Sequence, residues 1–310
     1  MANRTPLFSK KQPGGMFTIS DLAEHPGNIW FVDSGASAAS DAAGFGQDPD
    51  SPFATLDYAV GNCTANNGDV IYLMPGHAES ISSATDCVLD VAGIKVIGLG
   101  WGGDRPTLTI DTATTALISI EAASVWLENL LIVSNFLNIA TAITITAAGD
   151  NCTLKNIEMR NTSAVLGALI QVSVATTVTD LTVDGFVHKE YVTMTAPATN
   201  VFKFAGSYDR FTLINSHIQC FTTAAAVECS TGSGKSVYVE NVRLAQAETG
   251  AGLGLAFHNS TTGYVNNIIG VNLKNDVKPV TGTGLSVGPN VRYSNAVNAY
   301  AGLYTTTVDS

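Results

Sequence analysis

Charge is scarce in this chain. Of its 310 residues only 13% are Asp, Glu, Lys or Arg, and the 15 basic residues are outnumbered by 26 acidic ones, for a formal net charge of −11. That balance argues against a nucleic-acid-binding surface. Low charge beside abundant Ala, Thr, Ser, Val and Gly also argues against a disordered chain. Cysteine is sparse and odd in number: Cys63, Cys87, Cys152, Cys220 and Cys229 have no zinc-site or redox spacing. They read as small buried apolar residues, and no metal or other cofactor is expected. No apolar run reaches bilayer-crossing length, and Met1-Ala2-Asn3-Arg4-Thr5-Pro6 lacks the apolar core of a secretion signal. No membrane partner is therefore expected.

What the chain does have is a repeat. A short strand pattern ending in Asn returns as Val125–Asn129, Cys152–Asn156, Phe211–Asn215, Val237–Asn241 and Gly263–Asn267. Two copies, Ile94–Gly98 and Leu181–Gly185, end in glycine instead. The steps between Gly98, Asn129, Asn156, Gly185, Asn215, Asn241 and Asn267 are 31, 27, 29, 30, 26 and 26 residues. A near-constant step of this size marks a solenoid. Asn and Gly tolerate left-handed backbone better than other residues, so these positions read as corners, with the Asn side chains expected to stack in one line inside the solenoid.

A second apolar ladder keeps step with the first: Ala116–Ile120, Ala142–Ile145, Ala168–Val172, Asn200–Phe204, Ala226–Cys229, Gly254–Phe257 and Gly284–Val287. Each coil therefore has at least two short alternating strands. No helix repeats with them. The expected fold is all-β, a single-stranded right-handed parallel β-helix of about seven coils spaced roughly 4.8 Å apart, with a short N-terminal capping helix.

The ends differ from the body. In residues 1–28 the basic Arg4, Lys10 and Lys11 precede the first acid, Asp21, and the segment reads as an extended docking arm. Residues 29–68 read as a cap: a strand at Ile29–Asp33, a Gly/Ala/Asp-rich loop, then a helix with Ser51 as N-cap and Pro52 in its first turn. Phe53, Leu56, Val60 and Cys63 would form its apolar face and cover the open end of the coils. Residues 69–276 are the solenoid. Residues 277–310, with Tyr293, Tyr300 and Tyr304, read as a closing or oligomer-forming tail.

Pro52-Phe53-Ala54-Thr55-Leu56-Asp57-Tyr58-Ala59-Val60, followed by Gly68-Asp69-Val70-Ile71 and Pro75-Gly76, resembles the N-terminal part of pectate-lyase-like β-helix proteins. That superfamily spans polysaccharide lyases, glycosidases, phage tailspikes and non-enzymatic virion proteins, so the resemblance implies the fold and leaves the activity open. In overall character the chain is most similar to bacteriophage proteins that decorate a capsid or form a head fibre. The expectation that follows is a non-enzymatic, homotrimeric virion protein. It would be made in the host cytoplasm and docked to the major capsid protein or another virion protein through Arg4, Phe8, Lys10 and Lys11. The alternative is a tailspike-like depolymerase or lyase, or a module that binds a host glycan without cutting it.

Polysaccharide-cleaving β-helices need acids on an outer sheet face. The outward columns of the first ladder read Lys95, Trp126, Thr153, Thr182, Thr212, Tyr238, Tyr264 and Ile97, Glu128, Lys155, Asp184, Ile214, Glu240, Asn266. Glu128 and Asp184 are the candidate catalytic pair. They stand two coils apart, roughly 9.6 Å by strand spacing, near the upper limit for an inverting pair, with Lys155 between them. A surface Glu–Lys–Asp ladder is the simpler reading. Calcium would need denser acids; the loop Gly44–Asp50 is the nearest thing to a cation site. Ser233-Gly234-Lys235-Ser236 resembles the end of a phosphate-binding loop, but Cys229 stands where the first glycine is required. His77 and Glu79 read more readily as a surface turn than as an acid/base pair. His188, His217 and His258 fall on different coils with no ligand partner in register. Trp126, Tyr238 and Tyr264 suit either sugar stacking or an oligomer interface.

Overall fold

The computed structural model describes residues 27–190, 197–246, 254–273 and 280–295, together with the strand pairs Lys11–Gln12 with Gly15–Met16 and Arg292–Asn295 with Gly302–Leu303. Within them the chain winds as a right-handed parallel β-helix of about seven turns. A full coil carries three strands, one in each of three parallel sheets.

The first sheet holds Ile29–Val32, Val70–Leu73, Lys95–Gly98, Trp126–Glu128, Thr153–Lys155 and Thr182–Asp184. The leading halves of Thr212–Cys220, Val237–Gln246 and Gly263–Leu273 continue it, and Leu285–Val287 follows. The second sheet holds Ala78–Ile81, Thr107–Ile110, Leu131–Ser134, Glu158–Asn161 and Val187–Lys189, then the trailing halves of those long strands and Arg292–Asn295. The third runs through Val88–Leu89, Ile118–Ile120, Ile139–Ile145, Ala168–Val174, Asn200–Phe204, Val227–Cys229, Leu255–Phe257 and Val280–Thr281. The strand at Leu285–Val287 corrects an expectation. It pairs with Gly263–Val265 in the first sheet, and the third-sheet partner of Leu255–Ala256 is Val280–Thr281. The last coil is short, so the apolar pattern at 284–287 belongs to the ladder other than the one its spacing implied.

The core is built of stacked columns. Ile71, Val96, Leu127, Leu154, Val183, Leu213, Val239 and Val265 line up inside the first sheet, all buried. Ile118, Ile143, Val172, Phe202, Val227, Leu255 and Val280 do the same in the third. Each such side chain contributes about 1.5–3 kcal/mol by leaving water. In the second sheet the column Leu108, Ile132, Met159, His188, Ile218, Leu244 contains one histidine, fully enclosed. Burial pushes the His188 imidazole down to about 4. Four of the five cysteines are buried and the fifth, Cys63, is half-buried, and all five are free thiols. Burial raises the Cys63 and Cys220 thiols to about 12 and Cys152 to about 11, away from nucleophilic use.

The corner between the first and second sheets is where the asparagines stand. Asn129, Asn156, Gly185, Asn215, Asn241 and Asn267 have φ of 58°, 51°, 69°, 51°, 56° and 50°. One left-handed residue turns the strand so that the residues before and after it, such as Leu127 and Leu130, or Leu154 and Ile157, all point inward. The Asn side chains consequently point outward. Asn156, Asn215, Asn241 and Asn267 are exposed, so the stack lies on the outer edge of the solenoid and not inside it. It is still a hydrogen-bonded line: Asn267 Nδ2 donates to Asn241 Oδ1 (3.3 Å), Asn241 to Asn215 Oδ1 (2.8 Å), and Asn215 to Asp184 Oδ1 (2.8 Å). Asn129 Nδ2 donates to the carbonyls of Gly98 (2.7 Å) and Gly100 (3.0 Å). Gly98 keeps the ladder position without left-handed backbone. A Cβ there would lie 2.2 Å from the Asn129 carbonyl oxygen, so close approach explains this glycine.

A second left-handed line runs along the corner between the third and first sheets. Gly93, Ser124, Asn151, Asp180, Arg210 and Ser236 have φ of 75°, 59°, 55°, 58°, 50° and 54°. Each lies five residues before a ladder position (98−93, 129−124, 156−151, 185−180, 215−210, 241−236). Neighbours here also bond along the axis: Asn151 Nδ2 donates to Ser124 Oγ at 3.0 Å, and Arg210 grips Asp180 at 2.5 and 2.7 Å.

The cap differs from expectation in its helix start. The helix is Leu56–Gly61, capped by the Thr55 hydroxyl, which accepts from Tyr58 N. Ser51–Phe53 stays extended because Phe53 bonds both ways with the edge strand, Phe53 N to Phe31 O (2.8 Å) and Asp33 N to Phe53 O (2.9 Å). The apolar face holds: Phe53, Leu56 and Val60 are buried and Cys63 packs against them. Outside the core, Phe31, Val70 and Tyr72 form a second buried apolar cluster on the outward side of the first strands.

Two outcomes follow. Asn156→Ala should cost about 1 kcal/mol through left-handed strain, Asn156→Gly only a few tenths, and Gly98→Ala about 1–3 kcal/mol because its clash is with backbone. Denaturation midpoints check the order; a greater loss for Asn156→Ala than for Gly98→Ala would assign the corner to side-chain bonding. For His188 the folded value lies below the ordinary 6.5, so the unfolded chain takes up the proton first. Stability should be full above about pH 6.5 and decline down to about pH 4. His188→Met should flatten that part of a melting-temperature profile, and an unchanged slope would show that other groups produce it.

Candidate functional site

The first sheet presents the two expected outward columns in register. Trp126 faces Thr153, Thr153 faces Thr182, and the line continues through Thr212 to Tyr238 and Tyr264. Beside it run Glu128, Lys155, Asp184, Ile214, Glu240 and Asn266. Glu128 and Asp184 are thus two coils apart with Lys155 between. Lys155 Nζ sits 3.1 Å from Glu128 Oε1, and Trp126 Nε1 donates to Glu128 Oε2 at 2.9 Å. Asp184 accepts from Asn215 Nδ2. Both carboxylates are held by neighbours, with no second carboxylate beside either in the columns.

The aromatics of this face fall into two kinds. Lys95 and Lys155 each place an ammonium 5.5 Å from the Trp126 ring centre, so that ring is already engaged by cations from the coils above and below. Tyr238 and Tyr264 instead stack on each other, 6.2 Å between centres and 24° between planes, and are 39% and 38% exposed. Glu240 accepts from the Tyr238 hydroxyl, which raises the phenol's pKa, and Asn266 Nδ2 lies 3.4 Å from Glu240 Oε1.

The second sheet carries a constellation with no counterpart in the sequence ladders. Glu158, nearly buried, receives Arg105 Nη1 at 3.0 Å, Arg160 Nε at 2.6 Å and Lys189 Nζ at 2.8 Å. Burial alone would raise its carboxyl, but hydrogen bonds and charge from Arg160 and Lys189 hold it below the usual value. Arg105 arrives from a loop 53 residues earlier in the chain and also donates to the Asn156 carbonyl. Farther along the same face His217 and Arg243 stand in adjacent strands. Burial, then the charges of Arg243 and Lys189, hold the His217 imidazole down. Sequence spacing could show the register Arg160–Lys189 and His217–Arg243, but not the arrival of Arg105.

The remaining sequence candidates resolve as structure. His77 and Glu79 are buried, not on a surface turn: Ser34 N donates to His77 Nδ1 (3.0 Å), Nε2 faces Glu79 Oε2 (3.2 Å), and the same oxygen accepts from Leu56 N (3.0 Å). The pair ties the cap helix to the first full coil. Gly234–Lys235 is a strand paired with Tyr208–Asp209, with no helix after it. In the Gly44–Asp50 loop Asp48 Oδ1 accepts from Asp50 N (2.9 Å). Among the described residues no group of three or more His, Cys, Asp or Glu comes together as a metal site. His258 accepts from Ser260 N in its own turn (3.1 Å). Arg4, Phe8 and Lys10 lie outside the described residues, as does the Lys11 side chain.

No family model matches the chain, and no curated protein matches it. Among solved structures a rhamnogalacturonan lyase superposes with a TM-score of 0.43 over 85% of this chain and 87% of that one, at 10% identity.

Proposed function

We propose that this protein is a non-enzymatic β-helix that binds glycan on the outward face of its first sheet. The observation that carries the reading is the exposed Tyr238–Tyr264 stack, flanked by Glu240 and Asn266. Flat aromatic faces beside hydrogen-bonding carboxylate and amide groups suit the apolar faces and hydroxyls of a sugar. Cleavage finds less support. A hydrolytic pair needs one carboxyl ready to give a proton and another ready to take one, facing a shared substrate. Glu128 is neutralised by Lys155 and bound by Trp126, and the same lysine stands between it and Asp184.

A second reading, attachment to a virion, rests on the contrast between Arg4, Lys10 and Lys11 and a body whose formal charge gives the chain −11. In that reading residues 1–20 dock on a capsid and the solenoid, as a trimer, projects from it. Deletion of residues 1–20 should then abolish incorporation into particles while circular dichroism stays that of a β-helix. Equal occupancy by the truncated protein would remove the arm from the account.

For the glycan reading, affinity electrophoresis through gels containing neutral polysaccharides should show retardation. Tyr238→Ala and Tyr264→Ala should each weaken it about tenfold, a loss of about 1.4 kcal/mol. No reducing ends or unsaturated sugars should appear on incubation. Their release, abolished by Glu128→Gln or Asp184→Asn, would make this an enzyme and overturn the reading.

A further inference from the structure

Basic residues are few in this chain, and four of the 15 gather in one place. Arg105, Arg160, Lys189 and Arg243 share the outward side of the second sheet, with His217 among them. Arg160 is in register with Lys189, and His217 with Arg243. Counted coil by coil, Arg160, Lys189, His217 and Arg243 climb three steps along the axis, about 14 Å at the spacing of adjacent strands.

Within this strip the charges do not balance. One carboxylate, Glu158, meets three cations, which leaves the trio with a net charge of +2 (three positive, one negative). Arg243 adds another positive charge, exposed, and no ion pair of Arg243 is found among the described residues. One cation balances a carboxylate's charge, even where an Arg grips both oxygens; the carboxylate has lone pairs for more donors, but each further cation adds surplus positive charge. Like charges brought this close repel, and water screens them only in part. The excess is unusual on a protein whose overall charge is strongly negative. The depressed His217 imidazole, held down partly by Arg243 and Lys189, registers the same positive potential.

We infer that this strip on the second sheet, from Arg160 and Lys189 to His217 and Arg243, binds an acidic saccharide through its carboxylate or sulfate groups. Glu158 already occupies one anion position in it, gathering Arg105, Arg160 and Lys189 as a ligand carboxylate would. Lys189 and Arg160 have side chains about half exposed, so they can turn from Glu158 toward an incoming anion. His217, between Lys189 and Arg243 along the axis, becomes easier to protonate once that anion is seated. The strands hold these positions at fixed spacing, so little is lost to ordering on binding. The inference deepens the glycan reading by naming the ligand's charge and a second contact face.

The test is calorimetric titration of the full chain with three probes of similar length: neutral dextran, dextran sulfate and a polyuronate. At least one anionic probe should bind about tenfold more tightly than neutral dextran, weakening as salt is raised. Comparing the sulfated and carboxylated probes identifies the anionic group. Lys189→Gln with Arg243→Gln should lower that affinity about tenfold, while Lys203→Gln, on the third sheet, leaves it unchanged. Glu158→Gln should strengthen it, the reverse of what a structural ion pair predicts. If that variant does not fold, the His217 titration followed by nuclear magnetic resonance decides: its midpoint should rise on adding the anionic probe and also in Arg243→Gln alone. Equal binding of neutral and anionic probes, or no binding of either anionic one, would overturn the inference. Duplex DNA binding as tightly as dextran sulfate would overturn the saccharide assignment. Tyr238→Ala reports separately on the first sheet: loss of neutral binding there, with anionic binding intact, leaves this strip standing, and failure of the strip leaves the tyrosine site untouched.

Discussion

Left-handed backbone at two corners of the coil is the constraint on which the rest of this molecule depends. A β-strand cannot turn a right angle while keeping its inward residues inward unless one residue leaves the extended region. Here a residue with φ near 50–70° does so at Asn129, Asn156, Gly185, Asn215, Asn241 and Asn267, and in every one of these coils but the last another does so five residues earlier. The five-residue interval sets the width of the first sheet. Because it recurs without slippage, Lys95, Trp126 and Thr153 stay in one column, and so do Leu127, Leu154 and Val183. Register in a sheet with one buried face admits no one-residue error, since a slip would turn the core column outward. The corners enforce it.

That dependence explains what the sequence shows and what it hides. The first corner is legible because Asn and Gly are the residues that tolerate the left-handed region. The other corner uses Ser124, Asn151, Asp180, Arg210 and Ser236, four types in five positions, and it escapes a search for repeated letters. Their tolerance comes from neighbours: Arg210 is held by Asp180, and Ser124 by Asn151. The second sheet was hidden for a different reason. Its strands follow the Asn corner at once, as in Thr212–Cys220, and the corner residue reads as a strand end. The outward columns of the first sheet, Glu128 and Asp184 with Lys155 between, were legible since register needs only the step. Glu158 and Arg105 were not, because contacts across 53 residues depend on how a loop is aimed.

In a protein with so little charge, the partners of each charged or aromatic group separate structure from recognition. Trp126 has cations on it from Lys95 and Lys155 and a carboxylate on its N–H, so its interactions are complete. The buried His77–Glu79 pair is likewise complete, closed by Ser34 and Leu56 amides. Tyr238 and Tyr264 are satisfied only toward each other and Glu240, with the remaining ring surface facing water. The cations around Glu158 outnumber it.

The two faces argued to bind are not remote from each other. Tyr238 and Arg243 belong to the same strand, Val237–Gln246, on either side of Asn241, and Thr212 and His217 flank Asn215 in the same way. A saccharide touching both the stacked tyrosines and the cationic strip must cross the exposed asparagine line. Each primary amide there offers donors and acceptors, and only some are used in the chain from Asn267 to Asp184. The residues that turn the corner therefore also shape a polar ridge between the two proposed binding surfaces. Replacing them with glycine would keep the turn and remove the ridge. Asn129 is the exception, because its amide is committed to the carbonyls of Gly98 and Gly100 and serves the coil alone.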